Sequence, residues 1–242
     1  MRLIFIRHAE PDYEKHTLTE KGFREANILS ERVTKWNIDA AFVSPLERAV
    51  LTAKPSLDKL NIQPTIVPWL QEFSYPITDP TTGKPHVPWD FMPEFWTKEP
   101  LLFDHENFYQ ADILQSNPAY EPAVMALRKG LDDILAGYGY HRKGSYYAIE
   151  DEKVLDDDEK TIVFFGHLGA NFEAMGYLLG ISPLVLQQSV FLAPTAVSIL
   201  NFEKRLPGQA MARAQVIGDT RHLFDAGEPI SNHGAFSRVK DM

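Results

Sequence analysis

Through the first third of the chain, short apolar runs alternate with stretches of helical period. "LIFI" at residues 3–6 has no polar interruption, as expected of a strand buried on both faces. In "LTEKGFREANILSERVTKW", Phe23, Ala26, Leu29 and Val33 roughly follow the helical repeat, and Thr19 is placed to cap the start. "DAAFV" reads as a second buried strand. It feeds "SPLERAVLTAKPSL", where Ser44 is expected as N-cap, Pro45 at the first helical position and Glu47 as the partner in a capping box. "PTIVPWL" reads as a third strand ending before Glu72. From about residue 74 the pattern breaks into a proline- and aromatic-rich region, expected to be an inserted cap with a small core of its own from Trp89, Phe91, Phe95, Trp96, Phe103, Phe108 and Tyr109. Val124, Leu127, Leu131 and Ile134 then mark a helical face that stops at Gly137. "EDEKVLDDDEK" lacks a calcium-loop pattern and reads as a solvated acidic segment. Alternation resumes with the strand "TIVFF", a helix in "GHLGANFEAMGYLLG" closed by Gly180, and the strand "TAVSILNFE". These elements predict one domain over 1–242, a three-layer α/β/α architecture with a mostly parallel central sheet and a cap inserted at about 74–145.

Composition narrows the class. Hydrophobic residues make up 44% and charged residues 24%, ordinary values for a folded globular chain. The net charge of −9 argues against a nucleic-acid partner, so any phosphate site must be a local gathering of cations. The absence of cysteine excludes disulfides, thiolate metal sites and a cysteine nucleophile. The N-terminus does not have the pattern of a secretory leader, and no apolar run reaches membrane-spanning length; a cytoplasmic location without a membrane partner is the expectation. Oligomeric state is not encoded in periodicity or composition, and a homodimer stays open.

Candidate chemistry sits where apolar runs end. "LIFIRH" and "TIVFFGH" both close on a histidine, and in open parallel sheets ligand sites lie beyond the carboxyl ends of strands, so His8 and His167 are expected to meet there. Arg48 lies in the first turn of the helix after "DAAFV", where free N–H groups already favour an anion, and with Arg7 it can grip phosphate oxygens. Glu72 follows the third strand as the natural proton donor. Two arginines, two histidines and a carboxylic acid fit phosphoryl transfer through a neutral imidazole, with cations stabilising the equatorial oxygens and no metal or other cofactor required. His16, His86, His105, His141 and His233 are assigned no site role, because their spacing does not suit a metal.

"RHAEP", "LTEKG", "SPLERAVLTA", "LQEF" and "GHLGAN", in that order, resemble the histidine phosphatase superfamily, the phosphoglycerate mutase-like proteins. The resemblance covers roughly residues 2–72 and 161–202. It implies that His8 is the phosphorylated nucleophile, that Arg7, Arg48 and His167 form the phosphate pocket, and that Glu72 is the acid, with Glu10, where other members carry a polar or acidic group, as a second candidate donor. "GDTRHL" resembles a family tail in which His222 approaches the site, although a structural role for His222 is the stronger expectation. Leu168 stands where the family usually has a small residue, and "EFSYP" replaces the basic and aromatic run of the mutase branch. The expected activity is therefore a metal-independent phosphatase acting on a small phosphomonoester. A phosphomutase and a weakly active phospholigand-binding protein stand as the alternatives.

Overall fold

The computed structural model describes residues 1–149 and 160–239; the acidic stretch at 150–159 lies outside them. The first strand, β1 (Arg2–Arg7), is followed by a small hairpin of β2 (Pro11–Asp12) and β3 (Thr17–Leu18) and by helix α1 (Glu20–Val33). Next come β4 (Ala40–Val43), α2 (Glu47–Leu60) and β5 (Thr65–Ile66). A second two-stranded piece, β6 (Ile77–Thr78) and β7 (Pro85–His86), opens the irregular region, which also holds the short helices α3 (Pro93–Trp96) and α4 (Asp112–Gln115). The chain returns through α5 (Tyr120–Gly137), β8 (Tyr140–Lys143), β9 (Tyr146–Ile149), β10 (Thr161–Gly166), α6 (Leu168–Leu179) and α7 (Pro183–Ser189). It closes with β11 (Val197–Leu206), β12 (Gln209–Asp219) and α8 (Arg221–Asp225).

The central sheet has the order β5-β4-β10-β1-β11-β12-β9-β8. Its β5-β4-β10-β1 half is parallel, and the β11-β12-β9-β8 half is antiparallel. Strand alternation sorts the apolar side chains onto two faces. Leu3, Phe5, Ile162 and Phe164 face the larger cluster, with α5 and α6, while Ile4, Ile6, Val163 and Phe165 face the smaller one, with α1 and α2. Burial on both sides explains why β1 and β10 read as unbroken apolar runs. The fold is the three-layer α/β architecture, and the parallel half carries the ends of β1, β4 and β10.

Several local expectations change. Phe23 is 44% exposed; the buried face of α1 runs through Gly22, Glu25, Ala26, Leu29, Ser30 and Val33. Thr19 does cap α1, accepting from Gly22 N–H at 3.0 Å. Helix α2 instead starts with Leu46 as N-cap and no side-chain cap, since the Ser44 hydroxyl is engaged elsewhere. The third strand is only the exposed pair Thr65–Ile66 at the sheet edge, and Pro68–Leu70 is a 3₁₀ turn. Within 74–145, α5 packs on α6, and β8 joins the central sheet, so these belong to the layers themselves. Phe91, Phe108 and Tyr109 are buried in the same cluster as Phe5 and Phe164 rather than in a separate core, and Phe103 is exposed.

Among the described residues no helix is long and apolar enough to cross a membrane.

Candidate active site

Three parallel strands end side by side, and the residues after them carry the polar groups. Arg7 is the last residue of β1, and His8 follows it; the His8 N–H donates to Gly166 O at the end of β10. Both side chains are buried, Arg7 at 3% and His8 at 1% exposure. His8 Nδ1 lies 2.7 Å from the Ala9 carbonyl, which can only accept, so Nδ1 carries the proton and the Nε2 lone pair is left uncommitted. The backbone around His8 is fixed from two sides. Ala9 N–H donates to Thr52 Oγ1 at 2.8 Å, and Thr195 N–H, from a residue at φ +60°, reaches the carbonyls of Arg7 and His8.

His167 caps the end of β10 as the residue before α6, and its ring centroid is 5.1 Å from that of His8. Its Nε2 is 2.7 Å from Ser44 Oγ, and that oxygen also accepts the Leu46 N–H at 3.3 Å. The hydroxyl and Nε2 thus share one hydrogen bond that fixes the ring, and His167 Nδ1 is buried with no hydrogen-bond partner. This explains why the expected capping box does not form: Ser44 follows β4 and serves His167.

Arg48 is the second residue of α2, its guanidinium 5.4 Å above the Tyr13 ring. Arg7 donates through Nη1 to Leu192 O, and the Nε atoms of Arg7 and Arg48 have no hydrogen-bond partner. Glu72 stands two residues after the 3₁₀ turn, which is held by Trp69 lying across Gly130 of α5; a Cβ there would fall 2.3 Å from the indole. Glu72 Oε1 accepts from Phe73 N–H at 2.9 Å and from Ala170 N–H, in the first turn of α6, at 3.1 Å.

The electrostatics follow from burial and crowding. Burial first, then the charges of His167, Arg7 and Arg48, hold the His8 imidazole well below its ordinary pKa. Burial, Arg48 and Arg7 do the same to His167. Burial raises the Glu72 carboxyl, although the Phe73 N–H and Arg7 pull the other way. Burial lowers the Arg7 guanidinium to about 10, still cationic at neutral pH. The site therefore combines two neutral imidazoles, two cations with unused donors, and a carboxyl biased toward its acid form.

The structure brings Arg7, His8, Arg48, Glu72 and His167 together. Glu10 is tied up at the rim, where Oε1 accepts from Thr19 Oγ1 at 2.9 Å and Oε2 from Ser231 Oγ at 2.5 Å. His222 stands one step behind the site, with Nε2 3.0 Å from Thr195 Oγ1. Sequence reasoning missed His233. Its ring is 5.2 Å from that of Tyr13, itself under Arg48, and burial with Arg7 lowers its pKa. The next residue, Gly234, has φ +81°, and a Cβ there would lie 2.9 Å from Arg7 Nη2. The C-terminal segment thus passes directly over the arginine. The only signal for it in the sequence is the turn-forming cluster "SNHG", which carries no period. Among the described residues, no group of three or more His, Asp or Glu side chains is arranged to hold a metal ion.

Residues 3–97 match the family model of the histidine phosphatase superfamily (branch 1). No curated protein matches the chain in sequence. Solved structures share the fold at low identity. One is phosphoserine phosphatase from Entamoeba histolytica, at 18% identity and TM-score 0.56, with 92% of this chain and 98% of that one covered. A second is a mycobacterial glucosyl-3-phosphoglycerate phosphatase, at 15% identity and TM-score 0.58, with 90% and 99% covered. A third is the alpha-ribazole phosphatase of Shigella flexneri, at 17% identity and TM-score 0.55, with 90% and 96% covered.

Proposed function

Because residues 3–97 match the family model of the histidine phosphatase superfamily, we propose that the chain hydrolyses a phosphomonoester through a phosphohistidine at His8. The observation that carries this reading is the His8 ring itself, fixed through Nδ1 to Ala9 O and kept neutral beside two arginines, with Nε2 free to attack. Arg7, Arg48 and His167 hold the phosphoryl oxygens and stabilise the charge that spreads over them in the transition state. Nε2 forms a bond to phosphorus as the ester P–O bond breaks, and the leaving alkoxide takes the proton of Glu72. The Glu72 carboxylate then draws a proton from water as its oxygen attacks the phosphohistidine. Inorganic phosphate leaves and neutral His8 returns. The solved structures of like fold include phosphoserine, glucosyl-3-phosphoglycerate and alpha-ribazole phosphatases, which supports hydrolysis as the outcome.

The test is release of inorganic phosphate from 4-nitrophenyl phosphate, with and without chelator, by the parent and by His8→Ala. The parent should turn over equally in both conditions and His8→Ala should not. Rapid acid-free quenching should trap an acid-labile, base-stable phosphoenzyme in the parent alone. Transfer of the phosphoryl group back to an alcohol instead of to water would establish the phosphomutase. Turnover that persists in His8→Ala, or that chelation abolishes, would overturn the mechanism.

A further inference from the structure

Beside the phosphate-binding groups lies a recess of about 230 Å³ whose walls come from four separated parts of the chain. Trp89 enters from the irregular region, Leu168 directly follows His167, Gln187 lies in the last turn of α7, Phe191 follows that helix, and Gly234 and Phe236 come from the C-terminal segment. Both ends of the recess touch the site. A Cβ on Gly169 would lie 2.7 Å from Glu72 Oε1 and also 2.7 Å from the Trp89 ring, so acid and indole share the first turn of α6. At the other end Gly234 rests on Arg7. An alcohol leaving toward the Glu72 proton therefore enters this space. Gln188 Nε2 donates to Pro88 O at 3.0 Å and pins the loop that carries Trp89. Gln187 is 3% exposed; its Nε2 reaches Gly169 O at 3.5 Å, while its Oε1 has no partner. A buried acceptor left unpaired is costly and marks a place for a donor. A cavity of about 150 Å³ with apolar walls accepts benzene, so this one has room for a single ring with a substituent.

We propose that the recess binds the alcohol part of the substrate and selects an alcohol bearing one apolar ring, with a hydrogen-bond donor directed at Gln187 Oε1. The proposal rests on the phosphatase reading and names its substrate class.

The test compares benzyl phosphate with ethyl phosphate, and aminobenzyl phosphates with benzyl phosphate, in the parent, Trp89→Ala and Gln187→Leu. The parent should favour benzyl over ethyl phosphate in kcat/KM by tenfold or more. Trp89→Ala should cut that ratio at least tenfold. Gln187→Leu should abolish the preference for whichever aminobenzyl isomer the parent favours over benzyl. Ratios within one variant cancel losses of folded protein. Equilibrium binding of benzylphosphonate against methylphosphonate needs neither turnover nor a variant, and the parent should bind the benzyl compound at least tenfold tighter. Hydrolysis without a ring preference would overturn the recess while leaving the phosphatase intact. Ring-selective binding without hydrolysis of any ester would overturn the phosphatase and leave the recess.

Discussion

Burial acts in opposite senses on the two proton-bearing groups of the site. It lowers His8, whose charged form is the acid, and raises Glu72, whose charged form is the base. One dry pocket thus biases the proposed nucleophile toward its neutral form and the proposed acid toward its protonated form. The profile of kcat/KM should be bell-shaped, with an acid limb below the ordinary imidazole value of about 6.5 and an alkaline limb above the ordinary carboxyl value of about 4.3. Glu72→Gln should remove the alkaline limb and slow alkyl esters about 10²- to 10⁴-fold, with a smaller effect on 4-nitrophenyl phosphate, whose leaving group needs no proton. An unchanged profile would exclude Glu72 as the acid. Ser44→Ala tests the seating of the His167 ring. It removes the hydrogen bond that fixes Nε2, and kcat should fall about tenfold, the size of one lost hydrogen bond. Ser44→Thr, which keeps the hydroxyl, should restore most of it. Arg7, His8, Arg48, Glu72 and His167 were legible because each follows an apolar run or opens a helix. Ser44 was misread because "SPLE" satisfies a capping box equally well, and only the tertiary structure shows the hydroxyl committed to His167.

At the scale of elements, α6 carries an unusual burden. It is buried on nearly every side, and Glu173 in its middle is fully buried. Neither Glu173 oxygen has a hydrogen-bond partner, and Arg128 Nε stands 3.7 Å away, too far for a hydrogen bond. Burial outweighs that cation and raises the carboxyl to about 8, so at pH 7 it is mainly neutral. A carboxyl raised in the folded state favours folding at low pH and opposes it as pH climbs from the unfolded value toward and beyond 8. Glu173→Gln removes this dependence. Relative to that variant, the parent should be about 2 to 3 kcal/mol less stable at pH 9 than at pH 6, read from urea unfolding midpoints and slopes. Parallel pH curves would show that Glu173 is not held neutral. The element pattern was legible wherever a strand is buried on both faces, as in β1 and β10. It overran β5, where only Thr65–Ile66 pairs at the sheet edge, and in the antiparallel half it found β11 in "TAVSILNFE" but not β8, β9 or β12.

Across the whole molecule, His222 joins three distant parts of the chain. Its Nε2–H donates to Thr195 Oγ1, a hydroxyl that itself donates to Pro194 O, which leaves Nδ1 to face Arg32 of α1 at 3.4 Å as an acceptor. Arg32 also pairs with Asp219 at the end of β12. Thr195 in turn holds the Arg7 and His8 carbonyls, so His222 braces the backbone of the site from behind. A protonated ring would put a second cation against Arg32 and lose its acceptor. Burial, reinforced by Arg32, accordingly lowers it to about 4. Here the folded state binds fewer protons than the unfolded chain between pH 4 and 6.5, so stability must fall as pH drops through that window. His222 alone should cost about 2 kcal/mol between pH 7 and pH 5. His8 and His167, lowered in the same direction, add to the slope. His222→Gln keeps a donor for Thr195 but cannot titrate. It should lower stability at pH 7 by roughly 1 kcal/mol for the altered packing and hydrogen bonds, yet lose about 2 kcal/mol less than the parent on acidification to pH 5, measured by urea unfolding. If parent and variant lose stability in parallel, His222 is not the buried neutral brace described, and the acid sensitivity of the fold belongs to the site histidines alone.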